Sequence, residues 1–429
     1  MNQKSNISDN NPGQELLHTP TGVRDTYGAE CASKLSVQDR VHNVMSEYGF
    51  KDIETPTFEY FDIFSKERGT ASSREMFKFF DRDNNTLVLR PDVTPSIARC
   101  VAKYYKDEEM QIRLCYTGNT FVNTPPYKGK LQEVTQVGAE LFNDGTSDAD
   151  AEMIALTIEC LLKSGLEEFQ LEIGHADLFR GLVEEAGLSE TEISKLQELI
   201  ESKNFFGVEE LLDNLTISEE LKEVILKLPE LLDNLDDSME FVSKRSKSER
   251  VKKAMERLKN IEDILSIYGF SDYITIDLSM LSHYSYYTGV IFRAYTYGNG
   301  EAVATGGRYD GLVKQFGKNS EAIGLAIVID QLMLALSRQK LIDTDALAGS
   351  ILLYSQGCRK ETIDIASKLR SEGVKLQLMR KSSQKTIDDY KEYAKRMKTE
   401  KLLYLDEEKN VTEFDLNEDK EIKKKLSDY

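Results

Sequence analysis

No run of eighteen apolar residues occurs in this 429-residue chain, so the sequence offers no stretch long enough to cross a bilayer as a helix, and no membrane partner is expected. The five cysteines, Cys31, Cys100, Cys115, Cys160 and Cys358, contain no CxxC pair, and the four histidines, His18, His42, His175 and His283, do not cluster with them in sequence. A reduced, cytoplasmic protein without structural zinc is the expectation. Cys115 and Cys160 fall in apolar periodic runs, where a thiol packs as a small hydrophobe. Neither a GxGxxG following a parallel strand nor a Walker lysine is present, so the glycines do not announce a phosphate cradle. Positive charge is also in short supply: 55 Lys and Arg stand against 74 Asp and Glu, a net charge of −19 and a pI near 4.9. Gripping a polyanion needs a basic footprint that releases counterions, and no nucleic-acid partner is expected. The cationic run Lys244 to Lys253 has acidic flanks and no interleaved aromatic, so it reads as a solvated helix face, as does Lys423-Lys424-Lys425. The opening MNQKSNISDNNPGQE is polar throughout and reads as a disordered lead over residues 1–15 rather than a signal peptide.

What is present is an alternation of strand and helix patterns. Apolar spacing at Val37, Val41, Val44, Met45 and Tyr48 predicts a helix from Cys31 to Tyr48, ended by Gly49. Phe50 to Phe58 reads as a strand with Pro56 at an edge or interface, since proline cannot donate to a ladder. Thr86 to Leu89, Ile112 to Phe121 and Leu131 to Phe142 read as strands of a mainly antiparallel sheet, with a helix from Thr94 to Tyr105 between them. Residues 184–265 change to a helix-rich insertion in which the hexapeptide ELLDNL occurs at 210–215 and 230–235, read as two similar helix ends. Strand patterns resume at Tyr273 to Asp277, and Val290 to Tyr297 with Glu301 to Thr305 predict a hairpin through Gly298-Asn299-Gly300. From about Gly349 a strand-helix-strand-helix-strand pattern ends the chain. The organisation expected is one α+β domain over residues 16–340 with covering helices and the helical insertion, followed by a small α/β domain at 349–429.

Several blocks occur in a fixed order: Ile53-Glu54-Thr55-Pro56, Leu89-Arg90-Pro91-Asp92-Val93-Thr94, Gln111 to Phe142, Tyr286-Tyr287-Thr288-Gly289, Gly306-Gly307-Arg308-Tyr309-Asp310-Gly311-Leu312 and Ala322-Ile323-Gly324-Leu325. Together they span roughly residues 18–335 and resemble histidyl-tRNA synthetase, a class II aminoacyl-tRNA synthetase fold. Within that superfamily the chain is similar to the non-catalytic paralogues that serve ATP phosphoribosyltransferase as regulatory subunits. The resemblance makes the C-terminal unit a reduced anticodon-binding domain, with a generic interface role the simpler reading of it.

The departures from the synthetase pattern are as informative as the matches. The three arginines that carry adenylation in the synthetase fall at Val122, Ser282 and Gln331, and the neighbouring acidic adenine reader falls at Thr124. Charge accumulates on phosphorus during adenylation, and losing one aimed donor typically costs about 3 to 4 kcal/mol of barrier. Three losses leave no useful rate unless another guanidinium, such as Arg113 or Arg293, has moved in.

The amino-acid pocket of the family is kept at Asp92, Thr94, Gln136, Glu140, Tyr286 and Tyr287. Carboxylates suit an α-ammonium and an imidazole N–H, while phenol and amide groups satisfy the rest of a free histidine. Gln136 and Glu140 lie on one face if their segment is a strand. Each residue also has a plainer reading: Asp92 as a helix cap, Glu140 as an edge carboxylate, and the tyrosines as ordinary strand residues. His283 is left outside the site. The resemblance implies a regulatory subunit without a cofactor, forming a homodimer within a hetero-octamer with the short catalytic subunit and sensing L-histidine as feedback effector. A divergent active synthetase and a stand-alone histidine-binding protein are the other readings.

Overall fold

A computed structural model of the chain describes residues 17–65, 71–125, 130–231, 234–281, 287–342, 349–416, 418 and 420–426. Two compact units emerge, one built mainly from residues 34–342 and the other mainly from 343–429. Strands of the first are β1 (Lys51–Asp52), β2 (Phe58–Tyr60), β3 (Lys78–Phe80), β4 (Thr86–Leu89), β5 (Ile112–Phe121), β6 (Glu133–Phe142), β7 (Phe169–His175), β8 (Ile274–Ile276), β9 (Val290–Thr296), β10 (Ala304–Arg308) and β11 (Ala322–Val328). Eight of them form one sheet in the order β1-β5-β6-β11-β10-β9-β7-β8, and β2-β4-β3 form a small second sheet. The large sheet is antiparallel except where β1 joins β5 and β8 joins β7.

The segment expected as one strand from Phe50 to Phe58 is instead split into β1 and β2. Pro56 lies between them and can donate to neither ladder, so the chain leaves one sheet and enters the other. Around this frame run α1 (Gly28–Glu47), α2 (Thr94–Tyr104), α3 (Ser147–Ser164), α4 (Ala176–Glu185), α5 (Glu190–Glu201), α6 (Phe205–Asp213), α7 (Glu219–Lys227), α8 (Leu235–Ser243), α9 (Glu249–Tyr268) and α10 (Ile329–Arg338). Helix α1 buries Val37, Val41, Val44 and Met45, the stripe that its spacing predicted, and Gly49 turns the chain at φ +80°. Helix α3 begins at a Thr146 cap whose hydroxyl accepts from the Ala149 N–H, and it ends at left-handed Gly165.

The helical insertion is not a separate core. Leu196, Val208, Leu212, Val224 and Leu258 belong to the same buried cluster as Val137, Leu141, Ile173 and Phe292 of the sheet. The two hexapeptides also play different parts. The first ends α6, whereas the second leads into α8, whose N-cap Asn234 accepts from the Asp236 and Asp237 N–H groups. The basic run is held by acids: Lys244 pairs with Glu240, Arg245 with Glu223 and Arg250 with Glu184.

The second unit contains β12 (Ser350–Tyr354), α11 (Arg359–Ser371), β13 (Leu376–Arg380), α12 (Ile387–Arg396), β14 (Lys401–Leu405), β15 (Asn410–Asp415) and β16 (Lys420–Lys425). Its sheet runs β13-β12-β14-β15-β16, parallel through the first three and antiparallel beyond. Neither of the last two strands was legible: β16 is almost wholly charged, and the apolar Val411 and Phe414 of β15 break a two-residue alternation. Lys423-Lys424-Lys425, read as a solvated tail, lies in edge strand β16, where Lys424 pairs with Glu413 at 2.5 Å.

In the first unit, fully buried Asp150 on α3 binds Arg308 of β10 through Nε at 2.8 Å and Arg257 of α9 through Nε at 2.7 Å. Removing the carboxylate takes the carboxylate partner from Arg257, which keeps the Gly145 carbonyl at 2.9 Å, and leaves the buried Arg308 with Asp310 at 3.2 Å. Asp150→Ala is therefore expected to lower stability by about 3 to 5 kcal/mol in a urea titration, and a loss below about 1 kcal/mol would show that the cluster is energetically neutral.

Candidate functional site

A cleft of about 390 Å³ opens over β6, β10 and β11, and its wall includes Asp92, Thr94, Gln136, Glu140 and Tyr287. Five of the six residues predicted from sequence thus meet in one place. Tyr286, like Ser282, lies outside the described residues. The central group is Glu140, 1% exposed in the middle of the sheet rather than at an edge. Thr94 donates its hydroxyl to Glu140 Oε1 at 2.6 Å, and the Tyr309 hydroxyl donates to Oε2.

Glycine makes room for this carboxylate. Gly324 lies directly opposite Glu140 across the β6–β11 ladder, and a Cβ at residue 324 would fall 1.8 Å from Glu140 Oε2. At Gly307, a Cβ would fall 2.8 Å from the Tyr287 ring. The glycine blocks read as architecture in the sequence are therefore also the moulding of the cleft. Tyr309 was missed as a site residue for the same reason: it sits inside the Gly306 to Leu312 block and was absorbed into its structural reading. Only the antiparallel pairing of β10 and β11 brings it to Glu140.

Asp92 does two things at once. One oxygen accepts the Thr94 N–H at 3.2 Å, although the N-cap of α2 is Val93 rather than Asp92, and Asp92 also lines the cleft. Gln136 carries a buried Oε1 without a partner among the described residues, an acceptor left for whatever occupies the cleft. Burial drives the Glu140 carboxyl up to about 8, with Asp92 adding to the rise and the two hydroxyl donors opposing it.

The positions of the missing arginines face the same space. Val122, Thr124 and Gln331 all line the cleft, and Gln331 donates to Glu301 at 2.9 Å. No substitute guanidinium has arrived among the described residues. Arg113 forms a fork with Glu152 at 2.8 Å through both terminal nitrogens, Arg293 donates to the Leu281 carbonyl at 2.8 Å, and neither lines the cleft. Of the charged or ionisable side chains that do among the described residues, Glu75, Asp92 and Glu301 are acidic, Glu140 is a carboxyl held largely neutral near pH 7, and Lys130 is basic and pairs with Glu301. A lining of this kind attracts an ammonium, which in turn favours ionised Glu140, and repels a triphosphate.

The sequence profile of the histidyl-tRNA synthetase family matches residues 22–332. The chain is 41% identical to the ATP phosphoribosyltransferase regulatory subunit of Acetivibrio thermocellus, over 84% of this chain and 86% of that protein. It is 38% identical to the protein of the same description from Ruminiclostridium cellulolyticum, over 93% and 95% of the two chains. Among solved structures it is similar to an ATP phosphoribosyltransferase regulatory subunit/histidyl-tRNA synthetase from Bacillus halodurans, with TM-score 0.81, 31% identity and coverage of 91% and 98%. A histidyl-tRNA synthetase from Nostoc also superimposes with TM-score 0.81 at 18% identity, which speaks for the fold alone.

The raised pKa of Glu140 carries a signed consequence for stability. A carboxyl held near 8 in the fold, against an ordinary value of 4.5, favours folding fully below the ordinary value and loses that contribution as pH rises through 8. Glu140→Gln, which cannot ionise, is expected to flatten the fall in melting temperature between about pH 5 and pH 9 relative to the parent chain. Parallel melting curves for the two proteins across that range would contradict the assignment.

Proposed function

Since the chain belongs to the family of ATP phosphoribosyltransferase regulatory subunits, built on the histidyl-tRNA synthetase fold, we propose that its cleft is a sensor for L-histidine and no longer an adenylation site. In this reading it acts in the cytoplasm as a homodimer within a hetero-octamer, and the short catalytic subunit requires it for the first step of histidine biosynthesis. Nucleic acid and membrane have no part in that assembly. The observation that carries the reading is the charge of the cleft: four carboxyl groups, of which Glu140 ionises when a cation arrives, and no guanidinium among the described lining residues. The orphaned Gln136 oxygen supports a polar ligand at the same place.

The roles follow from the donor and acceptor chemistry. Asp92 and Glu140 take the α-ammonium and one imidazole N–H, Gln136 completes the polar shell, and Thr94 with Tyr309 holds the Glu140 carboxylate in position. Tyr287, with Tyr286 beside it in sequence, forms the phenolic wall. Feedback requires histidine to bind one state of the assembly more tightly than the other, and about 1 to 3 kcal/mol of coupling gives ordinary inhibition.

The isolated chain is expected to bind L-histidine in calorimetry while catalysing no histidine-dependent exchange of pyrophosphate into ATP. Exchange above background would restore the synthetase reading. In the assembled complex, Glu140→Ala and Tyr287→Phe are expected to weaken inhibition by histidine at least tenfold and about threefold respectively without dissociating the subunits. Unchanged inhibition in both variants would put the effector elsewhere. An arriving ammonium favours ionised Glu140, so binding at pH 7 should release protons, seen as a dependence of the binding heat on buffer ionisation enthalpy and missing in Glu140→Gln.

A further inference from the structure

Three side chains that take no part in the cleft meet at the other end of β5. His42 comes from the last turns of α1, Asp52 from β1 and Cys115 from β5. The sequence keeps its histidines away from its cysteines, but folding undoes that separation. The parallel β1–β5 pairing sets Asp52 directly beside Cys115, and the Ile53 N–H donates to the Cys115 carbonyl at 2.9 Å. The turn at Gly49 then folds α1 back over the strand pair. His42 Nε2 lies 2.6 Å from Asp52 Oδ1 and 3.9 Å from Cys115 Sγ, and the sulfur lies 3.7 Å from the same Asp52 oxygen.

This is not the geometry of a relay. A histidine that passes a proton between a carboxylate and a thiol uses its two ring nitrogens, one for each partner. Here a single nitrogen faces both groups, so one nitrogen, one oxygen and one sulfur converge on a common point. Nor does simple packing account for it, because a thiol buried as a small hydrophobe has no use for a carboxylate at its sulfur. Convergent N, O and S donors suit a borderline divalent ion such as zinc. Bonds of about 2.0 to 2.3 Å around a tetrahedral zinc place its donors roughly 3.3 to 3.7 Å apart. The two sulfur distances lie close to that range, and the shorter N to O separation is a hydrogen bond that the 77% exposed Asp52 side chain can open by rotation.

We propose that His42, Asp52 and Cys115 form a binding site for a divalent zinc-class cation, which ties helix α1 to the edge of the central sheet. The fourth position faces the exposed side of Asp52 and is filled by water. Binding exchanges a proton for the metal: the Cys115 S–H bond breaks, a sulfur–metal bond forms, and the proton leaves to solvent. The cation's own charge is what holds the thiolate once it forms.

The test is a titration of the reduced full-length chain with Co²⁺, followed by Zn²⁺. One equivalent of Co²⁺ is expected to give near-ultraviolet thiolate-to-cobalt absorption that Zn²⁺ displaces, and Zn²⁺ is expected to raise the melting temperature. Cys115→Ser should abolish the band. Asp52→Asn and His42→Gln, at more exposed positions that the fold tolerates, should each weaken binding about tenfold or more, since even supporting groups of a metal site matter on that scale. No band in the parent chain overturns the proposal. So does a band that survives intact in Asp52→Asn and His42→Gln, which would mark an adventitious ion at another cysteine such as the half-exposed Cys31.

Discussion

A carboxylate in the middle of a sheet, facing a strand that has no side chain to oppose it, governs the rest of this molecule's first unit. Glu140 needs the gap left by Gly324, the Thr94 hydroxyl at the start of α2 and the Tyr309 hydroxyl beyond β10. Those contacts come from parts of the chain that lie 46 and 169 residues from it. An isolated ion at this depth would be expelled or neutralised; two hydroxyl donors and proximity to a polar cleft make it tolerable, and protonation relieves what remains. The sheet order, with β6 beside β11 and β11 beside β10, is what allows all of these groups to converge.

The same cleft explains what the fold has given up. Adenylation on this architecture depends on fixed positive charge, and the described residues supply in its place an apolar Val122, a neutral Gln331 and a lysine already engaged by Glu301. Reintroducing one arginine would not rebuild the chemistry, because Glu301 is held between Lys130 and Gln331 and the remaining carboxylates keep the field negative. What the cleft lacks is therefore not one residue but the set of fixed cations that would offset its carboxyl groups on a developing phosphate charge.

Much of this was legible in sequence where the signal was local. Helix α1 announced itself by its apolar stripe, α2 by its proline at the first turn, and the cleft residues by motif spacing. The failures share a physical cause. Pro56 split a predicted strand because a short apolar run cannot tell one sheet from two, and the sheet partner of each half is chosen by distant residues. Strand β16 went unread because five of its six residues are charged, and β15 because Val411 and Phe414 do not alternate; β15 is placed by β14 and β16 by β15. Tyr309 and the meeting of His42 with Cys115 depend on strand order and on a helix folding back, neither of which spacing encodes. Arg308 gives the opposite lesson: the motif was read as structural, and its guanidinium indeed spans α3 and β10 through Asp150.

Strand β6, which carries Gln136 and Glu140, is connected to its surroundings by charged hydrogen bonds. Next to Gln136, the Thr135 N–H donates to Asp330 Oδ2 at 2.7 Å, and the other oxygen of that carboxylate accepts Lys34 Nζ of α1 at 2.8 Å. Asp330 in turn precedes Gln331, the residue standing where the synthetase keeps an arginine. A rearrangement of β6 around an occupant therefore pulls on the first turn of α10 and on α1 together, since Asp330 cannot keep both bonds if one element moves alone. Close-packed elements joined by charged hydrogen bonds shift between discrete arrangements rather than deforming gradually. A cleft with no chemistry of its own can thus still do mechanical work, provided that its occupant favours one of those arrangements over the other.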